Sequence, residues 1–118
     1  MKVMLMLYAD EKVGAQIPAE DMAKTMESLA AYQAALEKAD AFVATAALRP
    51  TWDARTLHME GGELRVHDGP YAETREQFGG YFIIDVADMD AALDWAKRCP
   101  AAQWGPVEIR PYHPDYAP

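Results

Sequence analysis

The sequence has little of three things: cysteine, basic side chains and long apolar runs. Cys99 is the one cysteine in 118 residues, which excludes an internal disulfide framework and is typical of a reducing compartment. Eleven bases stand against nineteen acids, and the formal charge of −8 repels phosphate backbones and anionic membranes. No apolar stretch is long enough to span a bilayer, and the opening residues show no cleavage-site pattern. We therefore expect a cytoplasmic protein that binds neither nucleic acid nor membrane.

Motifs that hold cofactors or build familiar nucleophiles are also missing. There is no Cys-x-x-Cys pair, no Walker sequence and no Ser-His-Asp order, and Gly61-Gly62 and Gly79-Gly80 lack the spacing of a phosphate-binding loop. The composition, 51% hydrophobic and 25% charged, is that of an ordinary globular protein. The length predicts one domain over 1–118.

The apolar pattern predicts four core strands and two helices. Strands are predicted over 3–8, 42–48, 81–86 and 107–110. One helix is predicted over 18–39, with Pro18 at its first position, and a second from an Asp88 cap to about Arg98. The segment 68–80, which precedes the strand over 81–86, is predicted to be turn and loop. We expect the apolar stripe of the first helix to face the core; it comprises Met22, Met26, Leu29 and Leu36, with Tyr32 beside it.

A hairpin is predicted over 55–60 and 63–68, because Gly61-Gly62 forms a two-residue turn that tolerates positive φ. A tight turn there pairs Met59 with Leu64 and Leu57 with Val66, so one face of the hairpin is apolar. The opposite face is polar throughout and carries Thr56, His58, Glu60, Glu63, Arg65 and His67.

The element order β-α-β-hairpin-β-α-β predicts an α+β sandwich of the ferredoxin-like kind. The first strand is apolar on both faces, and the strand over 81–86 is much the same. Two helices cover only one face of such a sheet, and the other face would be a larger apolar patch than soluble monomers usually expose. We therefore predict that a second copy covers it, which gives a homodimer.

The most distinctive stretch of the chain is 67–81, His-Asp-Gly-Pro-Tyr-Ala-Glu-Thr-Arg-Glu-Gln-Phe-Gly-Gly-Tyr. It resembles the signature of the DGPF proteins, a branch of the YCII-related family. The agreement covers nearly the whole chain, and extends to 1–10, 48–50, 84–86, 96–100 and 107–111.

This resemblance implies a ferredoxin-like dimer whose two sheets pack into an α/β barrel, and a distant relationship to muconolactone isomerases and other small dimeric barrels that act on oxygenated rings. It also implies a partner, an extracytoplasmic-function sigma factor. The chain departs from its relatives in one important respect: no histidine lies between 19 and 39, so the histidine–aspartate dyad of the YCII branch cannot be carried over. Tyr71 stands where the signature has Phe, His67 where relatives carry a small polar residue, and Ile17 where they carry a capping Ser.

Asp68 is the first candidate for chemistry. A carboxylate at a strand end, beside a Gly-Pro turn and facing an apolar barrel, has the environment that raises a pKa and makes a general base. His67 or Tyr71 would assist it, and Gly69 and Pro70 would shape the ligand pocket at this turn. The alternative for Asp68 is an Asx turn, in which the carboxylate bonds the backbone two residues on.

Three charged residues are candidates for holding an anionic group. Arg75 and Glu73 lie in the loop after the turn, and Arg49 ends a strand before a proline. The alternative for all three is a solvated surface charge or a weak ion pair.

Tyr8 is a candidate lining residue where two sheets would face each other, and the alternative is that it packs in a dimer core. His58 and His67, with a carboxylate nearby, resemble an open metal site in composition only, since their spacing is no recognised metal pattern. We predict no metal and no cofactor.

Two functions remain open on these grounds. One is a cofactor-independent enzyme of the isomerase, lyase or hydrolase type, which transfers a proton on a small oxygenated molecule. The other is a non-catalytic ligand-binding or regulatory module linked to a sigma factor, whose basic surface would suit the acidic charge of this chain.

Overall fold

A computed structural model describes residues 1–116, in which the chain forms six strands and three α-helices. They are β1 (Lys2–Ala9), α1 (Glu11–Gly14), α2 (Ala19–Lys38), β2 (Phe42–Ala47), β3 (Arg55–Glu60), β4 (Glu63–Asp68), β5 (Gln77–Asp85), α3 (Met89–Arg98) and β6 (Val107–Pro111). Short 3-10 helices cover Thr51–Asp53 and Pro100–Gln103. None of the helices within 1–116 has the length and apolar character that crossing a membrane requires.

The main sheet has the strand order β2-β5-β1-β6, and each neighbouring pair is antiparallel. Val3 pairs with Ile84 and Leu5 with Phe82, so the most apolar strands lie at the centre of the sheet. This arrangement confirms the predicted α+β fold of the ferredoxin-like kind. Strands β3 and β4 form a separate two-stranded sheet.

The hydrophobic core lies between one face of the main sheet and the helices α2 and α3. Tyr32 is at its centre: the ring meets Phe82 and Trp95 edge-on, and the hydroxyl donates to the backbone oxygen of Trp95 at 2.6 Å. The buried members of the core are Val3, Leu5, Tyr32, Leu36, Ala41, Phe82, Ile84, Ala92, Ala96, Cys99 and Ala101.

The other face of the main sheet, which we call the outer face, carries Met4, Met6, Tyr81 and Ile83. Residues alternate between the faces of a strand, and Val3, Leu5, Phe82 and Ile84 point to the core. Ile83 is buried but does not join the core cluster, whereas Met4, Met6 and Tyr81 are only partly covered. The single chain therefore leaves a largely apolar outer face, as the pattern of its strands predicted.

One predicted boundary is wrong, and one short helix was not predicted. Strand β5 begins at Gln77, not at Tyr81, because Phe78 and Gly80 pair with Tyr8 and Leu7 around a bulge. The two glycines that suggested a loop are instead bulge and close-approach positions within the strand. Helix α1 is an addition, and it begins after Asp10, whose carboxylate accepts from the backbone N–H groups of Lys12 and Val13.

The apolar stripe of α2 is buried along only half of its length. The helix begins at Ala19, so Pro18 is its N-cap and makes no side-chain capping bond, and it ends at Lys38. Tyr32 and Leu36 are buried, as predicted, but Met22 and Met26 are exposed. The N-terminal half of α2 therefore stands away from the sheet.

The β3–β4 hairpin, which we call the arm, has the predicted strands and register. Met59 pairs with Leu64 and Leu57 with Val66, and Gly61 and Gly62 have φ of 56° and 83°. At its stem, the N–H of Gly69 donates to the carbonyl of Ala54 at 2.7 Å.

Candidate functional site

An apolar cleft of about 470 Å³ opens between the N-terminal half of α2 and the main sheet, and we call it the helix–sheet cleft. Met26 and Leu29 of α2 form one wall, and Leu7 and Phe82 of the sheet form part of the other. The remaining lining residues are Tyr8, Ala9, Ala30, Gln33, Thr45, Ala46, Ala47, Gly79, Gly80, Ala101 and Trp104. Apolar clefts of this volume with a few polar groups are the usual form of a small-molecule site.

The cleft is open because the sheet beneath it is built from small residues. Ala46 and Ala47 of β2 lie beside Gly79 and Gly80 of β5, so this part of the sheet presents only small residues, and Leu7 and Phe82 line the rest. A Cβ atom on Gly80 would lie 3.0 Å from the backbone oxygen of Ala46, which shows how closely the two strands approach there. The N-terminal half of α2 therefore faces a gap, whereas the C-terminal half packs against Phe82 and Ile84.

Tyr8 lies at one end of this cleft. Its ring packs against Phe78 with the centroids 5.7 Å apart, and its hydroxyl donates to Oε1 of Glu108 at 3.1 Å. Burial raises the pKa of the Tyr8 phenol, and the hydrogen bond and charge of Glu108 raise it further. The phenol is therefore neutral at physiological pH, a donor linked to a carboxylate.

Tyr8 also lines a second opening of about 560 Å³, which we call the edge cleft. Arg75 and Glu108 lie in it, together with Thr74, Glu76, Pro106 and Val107. A guanidinium beside a phenol–carboxylate pair combines an anchor for an anionic group with a path for a proton.

The Asp68 turn borders a third opening of about 420 Å³, which we call the turn cleft. Asp68, Gly69, Pro70 and Glu73 all line it. Gly69 has a φ of 109°, a conformation that strongly favours glycine. These four predicted site residues thus lie beside one cleft, and their role in binding stays a prediction.

The Asp68 carboxylate lies in water in the single chain. Its side chain is 91% exposed, and its Oδ1 lies 3.5 Å from Nε of Arg55. The alternative of an Asx turn is wrong on chemical grounds, because the residue two positions on is Pro70, which has no N–H to donate. An apolar environment for Asp68 would have to come from a second surface.

Glu11 closes the far side of the turn cleft, and sequence reasoning missed it. Its carboxylate accepts from the backbone N–H of Thr51 at 3.0 Å and from the Thr51 hydroxyl. Its own N–H donates to the side-chain oxygen of Gln77 at 3.0 Å. These bonds tie α1 to the 3-10 helix and to the start of β5.

His67 lies on the polar face of the arm. Its Nε2 is 3.1 Å from Oε1 of Glu60, and Nδ1 of His58 is 3.6 Å from the same oxygen. Arg65 also reaches Glu60, with its Nε 3.6 Å from Oε2. Within the part of the chain that the structure describes, no group of three or more His, Cys, Asp or Glu residues has the geometry of a metal site.

Arg49 and Tyr71 lie apart from the three clefts. Nε of Arg49 is 3.1 Å from Oδ2 of Asp53, and this ion pair is largely exposed. Tyr71 is 82% exposed, and its ring lies 6.2 Å from that of His58.

The structure therefore divides the predicted site residues into groups. Asp68, Gly69, Pro70 and Glu73 share the turn cleft, while Tyr8 and Arg75 share the edge cleft. Shared residues link the three clefts in series: Thr74 belongs to the turn and edge clefts, and Tyr8 to the edge and helix–sheet clefts.

Glu108 is the second residue that sequence reasoning missed. It alternates with Val107 and Ile109 in β6 and pairs with Met6, so period two alone places it on the outer face. That signal was available in the sequence, but only the strand order brings Glu108 within reach of Tyr8.

Comparison with known proteins gives two consistent matches. The YCII-related domain family matches residues 1–114. An uncharacterised protein of Rhizobium meliloti (strain 1021) is 38% identical over 109 residues, which are 91% of this chain and 88% of that protein. The chain therefore belongs to the YCII-related family, as the signature at 67–81 predicted.

Proposed function

We propose that this member of the YCII-related family is an enzyme that binds a small oxygenated organic molecule and transfers a proton on it without a cofactor. The observation that carries the proposal is the apolar helix–sheet cleft, which shares Tyr8 with the edge cleft, where the Tyr8 hydroxyl donates to the carboxylate of Glu108. Its volume of about 470 Å³ suits a molecule of one or two rings. Arg75, in the adjoining edge cleft, is the proposed anchor for an anionic group.

Tyr8 and Glu108 both line the adjoining edge cleft, and they are the groups best placed there to move a proton. The phenol is neutral and donates to the carboxylate. A substrate C–H proton that passes to the phenol oxygen would release the phenol proton to Glu108, and the reverse transfer to another carbon would complete an isomerisation. Both charges and atoms balance in that sequence without any further reagent.

Asp68 is the competing base, with His67 as its assistant. A ligand in the turn cleft would lie beside Asp68, Gly69, Pro70 and Glu73. The 91% exposure of the Asp68 side chain means that this version needs a second surface to exclude water. Separate substitution of Glu108 and Asp68 distinguishes which carboxylate is the base.

The homodimer is part of the same proposal. The largely apolar outer face would pack against that of a second copy, and the two sheets would form an α/β barrel. We assign the chain to the DGPF branch on Asp68-Gly69-Pro70-Tyr71, and we propose a cytoplasmic location on its single cysteine.

Binding is tested first, with a matched pair of variants. Ala30 lines the helix–sheet cleft, whereas Ala34, one turn further along α2, does not. Native mass spectrometry of freshly purified protein, followed by thermal shift with benzoate, phenylacetate and small lactones, identifies a ligand. We expect Ala30→Leu to weaken binding at least tenfold and Ala34→Leu to leave it within twofold. Equal binding by both variants would place the ligand elsewhere.

Proton transfer is tested without knowledge of the product. Small ketones and lactones with an acidic C–H are incubated with the protein in D₂O, and deuterium uptake is followed by NMR. We expect uptake, reduced about 100-fold by Glu108→Gln and by Tyr8→Phe. A loss confined to Asp68→Asn would assign the base to the turn cleft. No uptake with any probe, despite binding, would refute the enzyme.

The second candidate is a non-catalytic ligand-binding or regulatory module that contacts an extracytoplasmic-function sigma factor. It is favoured by the water-exposed, ion-paired state of Asp68 and by the charge of −8, which complements a basic partner. Purification from native cells at several salt concentrations tests it, and recovery of no sigma factor would count against it.

A further inference from the structure

The arm exposes an apolar face that no other part of residues 1–116 covers. Leu57, Met59, Leu64 and Val66 lie on one face of the hairpin and are 57–64% exposed. None of the four belongs to the hydrophobic core or to the partly buried residues that pack against it. Four neighbouring large apolar side chains on a short hairpin are a feature of association surfaces and a liability in an isolated chain.

The charged side chains on the opposite face of the arm already have partners within the arm. Glu60 is contacted by His58, His67 and Arg65, and Arg65 also reaches Glu63 at 3.3 Å. The polar face therefore needs no partner for its charges, and the apolar face is the one that gains from burial. The arm also carries little of the overall charge, since residues 55–68 contain two arginines and three acids against −8 for the chain. Repulsion between acidic copies would be weak at this surface.

The exposed area of the chain is that of half an assembly. A compact monomer of 13.1 kDa exposes about 6,400 Å². This chain exposes 8337 Å², which is an excess of about 1,900 Å² over that scaling. The radius of gyration agrees, at 16.2 Å against about 13.5 Å for a compact domain of this length.

The excess matches what a permanent homodimer needs. If each of two copies covered its excess, the pair would bury about 3,800 Å², within the range of about 2,000–5,000 Å² for obligate homodimers. The outer face and the apolar face of the arm are two apolar surfaces that such a contact would cover. A second copy of this chain is thus the occupant that the area favours.

We propose that the arm of each copy packs its apolar face against the second copy, beyond the sheet-to-sheet contact, so that the site at the base of the arm is formed by two chains. The inference rests on the homodimer of the proposed function and adds the arm to it. Asp68 ends strand β4 on the same face as Leu64 and Val66, so a partner surface laid along that face also covers Asp68. The second copy supplies the wall that keeps water from Asp68 and that the single chain lacks.

The test uses two double variants on the same strand. Leu64→Ser with Val66→Ser removes two side chains of the apolar face, and Glu63→Ser with Arg65→Ser removes two of the polar face. Neither pair changes the net charge, and all four positions are exposed, so both proteins are expected to fold. Sedimentation equilibrium over a range of concentrations measures dimerisation. We expect the apolar pair to weaken the dimer at least tenfold and the polar pair to leave it within twofold.

A second measurement locates the arm directly. In a dimer mixed from isotope-labelled and unlabelled chains, we expect NOEs from the methyl groups of Leu64 and Val66 to the other chain. Two results together would overturn this inference: the apolar pair dimerises as tightly as the wild type, and the arm methyls of the wild type show NOEs only within their own chain. The sheet-to-sheet dimer would then still stand. A wild-type monomer at every concentration would overturn both.

Discussion

The two halves of α2 lie over the same sheet and carry the same apolar period, yet one half builds the core and the other the wall of a cleft. Tyr32 and Leu36 in the C-terminal half are buried against residues such as Phe82 and Ile84. Met26 and Leu29 in the N-terminal half face glycines and alanines across an open space. The size of the side chains on the sheet, and not the pattern of the helix, decides whether an apolar stripe is closed or open.

Two tyrosines show the electrostatic side of this difference. Tyr32 in the closed half is buried, and desolvation raises the pKa of its phenol strongly. Tyr8 of β1, which lines the helix–sheet cleft, is only partly buried, and its pKa rises through the same cause with the help of Glu108. The Tyr32 phenol donates to a backbone carbonyl in the core, whereas the Tyr8 phenol donates to a carboxylate at an accessible cleft.

The largest expected effect is a difference in the free energy of unfolding between variants in the two halves of α2. Leu36 is fully buried, so Leu36→Ala should lower the free energy of unfolding by about 2–5 kcal/mol. Met26 is half exposed, so Met26→Ala, on the same face of the same helix, should cost less than about 1 kcal/mol. Urea unfolding followed by circular dichroism measures both. Similar losses would show that the open half packs in solution and that the cleft is not there.

A smaller effect distinguishes the tyrosines by pH. The pKa of Tyr32 is higher in the folded chain than in the unfolded chain, so its contribution to stability is complete below about pH 10 and is lost as the pH rises further. The slope for one such group is about 1.4 kcal/mol per pH unit. Tyr32→Phe should remove this slope, and at pH 7 it should cost about 1 kcal/mol through the bond to Trp95.

Two controls accompany the pH series. Burial also raises the pKa of the Cys99 thiol, so a separate loss of stability begins near pH 9 and should persist in Tyr32→Phe. Tyr8→Phe should leave most of the loss above pH 10 in place, because its phenol is less buried than that of Tyr32. If the two phenylalanine variants flatten the profile equally, the contrast between the tyrosines fails.

The sequence was sufficient where local rules decide the structure. The arm has the predicted strands and register because Gly61-Gly62 fixes the turn, and α3 begins at the predicted cap, where Asp88 accepts from the N–H of Ala91 at 2.9 Å. The start of β5 was not predictable in the same way. Gly79 and Gly80 carry no strand propensity, and only the neighbouring strands hold them in the sheet.

The candidate site was predictable in part for the same reason. The Asp68-Gly69-Pro70 turn is contiguous in sequence, so its residues necessarily share one place. Tyr8 and Glu108 are 100 residues apart, and their hydrogen bond depends on the pairing of β1 with β6. The helix–sheet cleft is harder still to predict, because it is a gap. The apolar pattern of α2 does not indicate which half of the stripe faces small side chains on the sheet.

The smallest expected effect concerns the start of α2, which belongs to the open half. Pro18 is the N-cap and makes no side-chain bond, so the first N–H groups of the helix lack the acceptor that Asp88 gives to α3. In Pro18→Ser, a capping hydroxyl should contribute about 1 kcal/mol, while the freer unfolded chain should cost about 0.4–1 kcal/mol. These effects oppose each other, so global stability should change by less than about 0.5 kcal/mol, whereas hydrogen exchange in the first turn of α2 should slow severalfold. Slower exchange with unchanged global stability would show that the open half frays independently of the core. A fall in global stability of more than about 1 kcal/mol would instead show that Pro18 holds both halves together, and the distinction between them would no longer stand.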